Sequence, residues 1–570
     1  MSEKISGADA LIRALLAEGV DTVFGYPGGA ILPVYDSLYD YTDKIRHILT
    51  RHEQGAIHAA QGYARVSGRT GVVIVTSGPG AANVITGLSD AMMDSTPVVV
   101  ISGQVGARYL GSDAFQETDV VAITQPITKW AVQVRRAEDI AGAVARAFYI
   151  ASSGRPGPVV IDIAKDAQIG LTEECYKTVD FIRSYNPRPE VDQTLIAEAA
   201  RIINGAERPL MLVGQGVTIS GAEDAVTALA EKAGIPVGAT LLGLSTMPSD
   251  HPLYKGMLGM HGNIGVNYNT NRADVIVAVG MRFDDRVTGN TDLYAPDAKI
   301  IHIDIDPSEF DKTVKSTVAI NCDARVAVEK LLAAVSTAEH KAWCDSFDEY
   351  NAVEAKEVVA RELNPGTPKM TMGEVVSRVS AAVPDNAVAV TDVGQNQMMS
   401  ARYFKFRQRR AIITSGGLGT MGFGLPAAIG AKIGAPERTV CLFCGDGGFQ
   451  MTIQELGTIM QYDVAVKIVI LNNNFLGNVR QWQNLFFNRR FSQTPMLNPD
   501  FKAIAAAYGI AARDVNDRAE LDGAIAEMLA HDGCYILNVN IDETDMVFPM
   551  TPVGKAVDYI MLSPDKVFTL

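Results

Sequence analysis

At 570 residues, 47% hydrophobic and 20% charged, the chain has the composition of a globular protein with ample core, and its length predicts three or four domains. A formal net charge of −15 and an isoelectric point near 5.1 argue against nucleic acid or an anionic membrane as partner, since both demand basic patches. Six scattered cysteines make no disulfide framework and point to a reducing compartment.

The start, MSEKISGADALIRALLAEGV, runs almost straight into an amphipathic helical pattern. It has neither the apolar core of a signal peptide nor the Arg/Ser bias of a transit segment, so a cytoplasmic protein is expected. No stretch is long and apolar enough to span a membrane. Beyond the start, apolar runs of strand length alternate with helix-like stretches, the doubly wound α/β pattern. Polar stretches at 168–192, ending in RSYNPRPE, and at 337–369, ending in RELNPGTPK, interrupt it as connectors. The expectation is three doubly wound parallel-sheet α/β domains over 1–167, 190–336 and 370–545, with 546–570 as a C-terminal tail.

In the first block, VVIVTSGPG, a helical stretch from Asn83 to Met92 and PVVVISG follow the same strand-helix-strand plan as 439–474 in the third block. The internal repeat is weak. Only the third copy carries Asp446 and Asn473, whereas the first has Ser77 and Pro79 and no metal ligand, so the copies divide their labour. Taken alone, Glu53 in RHEQGAIHAAQGYAR reads as a helix-cap or surface carboxylate, and Lys165 beside Asp166 as a solvated charge. His52 and His58 lack the HExxH spacing of a zinc site.

The features of the middle block are individually modest. In VGQGV at 213–217, Gly214 and Gly216 can pass a backbone near a diphosphate, and Asp304 in HIDIDP is a strand-end acid of the kind that binds ribose hydroxyls. Arg286, beside Asp284 and Asp285, reads by itself as a plain ion pair.

The third block carries the strongest signal. Residues 445–474, GDGGFQMTIQELGTIMQYDVAVKIVILNNN, place an Asp in a glycine turn after one apolar run and an Asn run after the next. Such units give parallel strands, so both loops lie at strand carboxyl ends, where open parallel sheets bind ligands. Gly445, Gly447 and Gly448 let backbone approach a phosphate, and the helix that follows offers unpaired N–H groups. Asp446 alone would repel a diphosphate, which argues for Mg²⁺ between them with Asn473 as second ligand. The segment TSGGLGTMGFG contains a GxGxxG from Gly417 to Gly422, but no acid follows at a strand end, so a dinucleotide site is disfavoured there. Cys441 and Cys444 form a CxxC inside an apolar strand and read as inert core thiols.

The GDG…NN spacing resembles the diphosphate motif of thiamine-diphosphate enzymes. Nearly the whole chain resembles, more narrowly, the catalytic subunits of the FAD-containing acetohydroxyacid synthase (acetolactate synthase) family. The motifs are FGYPGGAILPVYD at 24–36, SGPGAANVITGLSDAMMDSTPVV at 77–99, AFQETD at 114–119, GRPGPVVIDIAKD at 154–166, GMLGMHG at 256–262, GMRFDDRVTGN at 280–290 and VRQWQ at 479–483.

The resemblance implies a pyrimidine-binding first domain, a central FAD-associated domain and a diphosphate-binding third domain. The cofactor would lie between two subunits, so a homodimer is the minimum and a tetramer remains open. Glu53 would face the aminopyrimidine and Gly419 would offer it a carbonyl; Met421 would wedge the cofactor into its bent form, and Gln395 and Gln397 would contact diphosphate or ring. Mg²⁺ would be held by Asp446, Asn473 and the backbone carbonyl of Phe475. The resemblance further implies FAD contacts from Arg155, Gly214, Gly216, Thr240, Leu241, His261, Arg282, Asp284, Asp304 and Asp323. Gln116, with Phe115, and Lys165 would line the channel for 2-ketoacids; Arg286 would bind the second substrate's carboxylate, and Trp482 would favour 2-ketobutyrate as acceptor. A small regulatory subunit is a further implied partner. Asn478 and Asn396 depart from the family pattern, where Met and His are usual. The rival expectation is an FAD-dependent oxidoreductase of the pyruvate oxidase type, against which RFDDR and QW speak.

Overall fold

A computed structural model describes residues 4–569. Each of three sheets has six parallel strands, as expected of chains in which buried strands are joined by helices. The first sheet runs, edge to edge, Arg46–Leu49, Thr22–Gly25, Gly71–Val75, Val98–Gln104, Pro158–Ala164, Trp130–Val134. In the third the order is Ile412–Ile413, Val388–Thr391, Val440–Gly445, Val466–Asn472, Tyr535–Asn540, Ala511–Val515. Numbered within each domain, both orders are 2-1-3-4-6-5, so the weak repeat read from the sequence is a topological identity.

The central sheet is wound differently: Tyr254–Met257, Val237–Ala239, Pro209–Val213, Val275–Val279, Lys299–Asp304, Val318–Asn321, which is 3-2-1-4-5-6. This is the dinucleotide-binding order, with a crevice where the winding reverses between the first and fourth strands.

The related domains pack through equivalent helices, Glu53–Ser67 and Gly424–Gly434, each following the second strand of its sheet. Glycine permits backbone contact here. A Cβ on Gly62 would stand 2.0 Å from the Ala427 carbonyl oxygen, and one on Gly430 would stand 1.8 Å from that of Ala59. Segment 337–369, expected as a connector, is largely helical: Lys341–Glu354 docks on the central domain because Trp343 and Phe347, four residues apart, share one buried face. The Trp343 indole N–H donates to the Pro209 carbonyl at 2.7 Å. The tail also packs, since Phe548, Met550, Ile560, Leu562 and Phe568 form a buried cluster with Ile264 and Val358.

Candidate active site

In the third sheet the winding reverses between Val388–Thr391 and Val440–Gly445, and the candidate diphosphate residues follow these strands and the next one. Asp446 opens the helix Asp446–Met451 and is 1% exposed; burial pushes its carboxyl pKa up. Its Oδ1 accepts from the Gly447 N–H at 3.0 Å and its Oδ2 from Asn498 Nδ2 at 2.6 Å. Asn473 Oδ1 accepts from the Phe475 N–H at 3.1 Å, and its Nδ2 donates to Gln395 Oε1 at 3.4 Å. Gln395 also donates to Gln481 Oε1 at 2.9 Å and to the Asp545 carbonyl at 3.0 Å, which ties this loop to the segment leading into the tail. Gly448 has no alternative: a Cβ would stand 2.1 Å from Asp392 Oδ1.

Asp392 ties this turn to the glycine-rich segment. It is buried and accepts from the N–H groups of Gly422 and Gly424, through Oδ2 at 3.0 and 2.9 Å. Gly419 has φ +70°, a left-handed conformation that favours glycine. Met421 reaches toward the 445–448 turn, its methyl 3.7 Å from where a Cβ on Gly447 would stand. Gln397 is buried and donates to Thr414 Oγ1 at 2.7 Å and the Ser415 carbonyl at 2.9 Å.

A second group gathers at the carboxyl edge of the first sheet. Glu53 is the first residue of its helix, whose N-cap is His52, and Asn83 Nδ2 donates to Glu53 Oε2 at 2.9 Å. A Cβ on Gly80 would lie 3.4 Å from Glu53 Oε1, and one on Gly78 would lie 2.9 Å from the Gln116 Cα. Thus Glu53, the 78–80 turn and Gln116 adjoin. Gln116 sits at φ +59° beside Phe115, which is 88% exposed. Lys165 follows the strand Pro158–Ala164 and is exposed, while the neighbouring Asp166 accepts from the Ala107 N–H and so holds the 107–119 loop.

The third group lines a cavity of about 720 Å³ at the reversal point of the central sheet. Its walls include Arg155, Gly214, Gly216, Thr240, Leu241, His261, Arg282, Asp284, Arg286, Asp304 and Asp323, and reach Gln397, Gly419, Asn478 and Trp482 of the third domain. Glu53, Gln116 and Lys165 stand outside this lining. Gly214 and Gly216 pack on a backbone rather than leave their amides free: their N–H groups donate to the carbonyls of Val279 at 2.9 Å and Gly280 at 3.1 Å. Arg155 crosses from the first domain to Glu309 at 2.7 Å and Asp306 at 3.2 Å. Asp304 is buried and its pKa is pushed up by burial to about 6, while Asp284 and Asp323 cap the helices that follow them. His261 meets the Pro549 carbonyl through Nδ1 at 3.0 Å; burial depresses its pKa to about 3, so the ring is neutral.

Residues 5–123 match the N-terminal TPP binding domain of thiamine pyrophosphate enzymes, 196–331 their central domain and 392–539 their C-terminal TPP binding domain. Over 554 residues the chain is 44% identical to the acetolactate synthase isozyme 2 large subunit of Escherichia coli, covering 96% of this chain and 98% of the relative. The chain belongs to the acetolactate synthase large-subunit family. Other members include the large subunits of Lactococcus lactis, 42% identical over 97% of this chain and 96% of its own length, and of Corynebacterium glutamicum, 43% identical over 97% and 90%.

The residues present fit the groups that this acetolactate synthase family implies. Among the described residues no three His, Cys, Asp or Glu side chains gather into a metal site. The donors expected there, the Asp446 carboxylate, the Asn473 amide and the Phe475 carbonyl, would leave positions for phosphate oxygens and water, as Mg²⁺ prefers. Among the described residues no cation is in hydrogen-bond contact with the buried Asp446 carboxylate, which a bound metal would compensate. The cavity's volume, its 3-2-1-4-5-6 sheet and its strand-end acid fit a flavin dinucleotide. The two departures from the family pattern are neighbours: a Cβ on Gly394 would lie 3.7 Å from Asn478 Cβ and 3.9 Å from Asn396 Nδ2, and both Oδ1 atoms lack a partner among the described residues.

Sequence reasoning missed three residues that position others. Asn83 lies inside the SGPGAAN motif and Asp392 lies three residues before Gln395, yet nothing local marks their partners. Asn498 carries no motif at all, and only the folded loop brings it to Asp446.

Proposed function

We propose that this chain is a cytoplasmic, Mg²⁺- and thiamine-diphosphate-dependent acetolactate synthase that contains FAD. It joins pyruvate to a second 2-ketoacid, with loss of CO₂, to give 2-acetolactate from pyruvate or 2-aceto-2-hydroxybutyrate from 2-ketobutyrate, in branched-chain amino acid synthesis. The observation that carries the reading is that Arg286, Trp482 and Gly419, drawn from two domains, line one cavity. When bound, thiamine diphosphate supplies the nucleophilic carbon and the electron sink that decarboxylation of a 2-ketoacid needs.

The chain's own groups then have distinct tasks. Asp446, Asn473 and the Phe475 carbonyl would hold Mg²⁺, which would supply positive charge for the diphosphate. Gly419 would accept from the pyrimidine's amino group, and Met421 would pack against the bound cofactor. Glu53 exchanges a proton with a pyrimidine nitrogen, and Asn83 orients it. In this reading a second copy supplies Glu53 and the assembly is a homodimer or a tetramer of such dimers, which is supported by the position of Glu53 outside the cavity lining of its own chain. Exposed apolar residues on this part of the surface, Tyr26, Leu32 and Phe115 on one side and Leu418 and Met451 on the other, support such an interface.

Gln116 and Lys165 line the approach. Arg286 takes the carboxylate of the second 2-ketoacid, and Trp482 covers its alkyl end, where one methylene is worth about 1–3 kcal/mol of preference. The FAD is structural in this reading, because the condensation has no net redox change. The name "large subunit" carried by the relatives supports a small regulatory partner.

Product analysis with pyruvate alone, then with pyruvate plus 2-ketobutyrate, tests the proposal. Acetolactate and acetohydroxybutyrate are expected; acetate formed with flavin reduction would overturn it. Trp482→Ala is expected to lower the preference for 2-ketobutyrate by roughly 10-fold or more.

A further inference from the structure

The helix Ile85–Met93 of the first domain ends against the loop of the third domain that carries Gly419. Asp94, just past this helix, accepts from the N–H groups of Gly416 at 2.9 Å and Gly417 at 2.7 Å and pairs with Arg65 at 2.7 Å. Asp94 is thus a fully compensated buried carboxylate. Asp90, one turn earlier on the same face, differs. Its Oδ1 accepts from the Ser415 hydroxyl and, at 3.1 Å, from that of Thr420, while Ser415 Oγ accepts from the Thr420 N–H at 2.8 Å. Its Oδ2 has no partner among the described residues, no cation touches it, and the side chain is wholly buried.

A carboxyl in that state is a costly tether between two domains. What it holds is specific. The two hydroxyls it grips are residues 415 and 420, the ends of a six-residue loop whose fifth member, Gly419, presents its carbonyl from a left-handed backbone. Asp94 grips the next two residues, so four of the six positions are referenced to one short helix.

We propose that Asp90 is a positioning residue of the cofactor site: by clamping Ser415 and Thr420 it sets the place of the Gly419 carbonyl, and with it the register of the bound aminopyrimidine. The inference rests on the reading that Gly419 faces that ring. It also makes one helical segment serve two ends, since Asn83, two residues before the helix, holds Glu53. Orientation of the proton-exchanging carboxylate and placement of the pyrimidine acceptor are therefore built on the same element.

The test uses the full-length enzyme with Mg²⁺ and FAD and compares wild type with Asp90→Ala, Asp90→Asn and the Ser415→Ala/Thr420→Val pair. Three quantities are read: thiamine diphosphate affinity by titration, the near-ultraviolet circular dichroism of the bound cofactor, and kcat at saturating cofactor. Asp90→Ala is expected to weaken cofactor binding about 10-fold, to change the dichroism of the bound ring and to lower kcat even at saturation. Asp90→Asn, which keeps an acceptor oxygen, should restore most of the affinity. The hydroxyl-deleted pair should reproduce Asp90→Ala, and adding Asp90→Ala to it should cost little more, because both remove one clamp. This pair keeps the test decisive if Asp90→Ala fails to fold. Wild-type affinity and dichroism in Asp90→Ala, or in the hydroxyl-deleted pair, would overturn the inference. A wild-type chain that binds no thiamine diphosphate would instead overturn the reading on which it rests.

Discussion

Asn498 donates to Asp446 at 2.6 Å, and the same amide nitrogen lies 3.0 Å from Asn472 Oδ1 and 3.2 Å from Asn474 Oδ1. One side chain from a loop therefore binds together the two turns proposed to hold the metal diphosphate. Asn498→Ala is expected to weaken Mg²⁺ roughly 10- to 100-fold, the usual cost of losing a group that orients a metal ligand. Mg²⁺ titration of activity checks this, with kcat at saturating Mg²⁺ largely retained.

Glu53→Gln is expected to slow proton exchange at the cofactor's reactive carbon by roughly 100-fold or more while the cofactor still binds. Asn83→Ala should act in the same direction and less strongly, since it frees Glu53 from a 2.9 Å hydrogen bond without removing it. Hydrogen–deuterium exchange of the bound cofactor, followed by NMR after rapid quench, measures both. Unchanged exchange in Glu53→Gln would defeat the assignment.

Gly62→Ala puts a methyl 2.0 Å from the Ala427 carbonyl oxygen, so the helices Glu53–Ser67 and Gly424–Gly434 must separate. A loss of about 1–3 kcal/mol is expected, as for overpacked cores. Denaturant or thermal unfolding reads it. A surface control, Gly142→Ala, where a Cβ meets nothing within 4 Å, should be neutral or stabilising.

His58 lies in the same helix contact, edge-on to Phe423 at 5.3 Å, with Nε2 unpartnered among the described residues. Complete burial, reinforced by Arg65, depresses its pKa from 6.5 to about 3. The folded state thus binds fewer protons than the unfolded state between these values. Its contribution is present above pH 6.5 and is lost as pH falls toward 3. His58→Gln should remove up to about 1.4 kcal/mol per pH unit from the acid slope of stability in that window. Unfolding free energies from pH 7 to 4 make the comparison.

How much of this was legible beforehand differs from residue to residue. Asp446, Gly447, Gly448 and Asn473 announce themselves because a strand-helix-strand unit forces the two turns to adjoin. Their spacing carries the geometry. The three-domain α/β plan was readable for the same reason, as strand and helix periods are local. Segment 337–369 was less so, because only its contact with Pro209 shows why Trp343 makes it a docked helix. Glu53 needed the family resemblance, since an acid at a helix N-terminus has a commoner explanation in capping.

By itself, then, the sequence determined what depends on neighbours along the chain: the parallel α/β domains, the glycine turns and the placement of Asp446 and Asn473 at the ends of adjacent strands. Only the tertiary structure decided what depends on residues hundreds of positions apart. It assigned the 2-1-3-4-6-5 and 3-2-1-4-5-6 windings, joined Arg286 to Trp482 around one cavity, and set Asp90 against Ser415 and Thr420. The physical reason is that a hydrogen bond or a shared wall between distant segments leaves no period in the sequence. Each is specified only when separate hydrophobic cores have formed and docked.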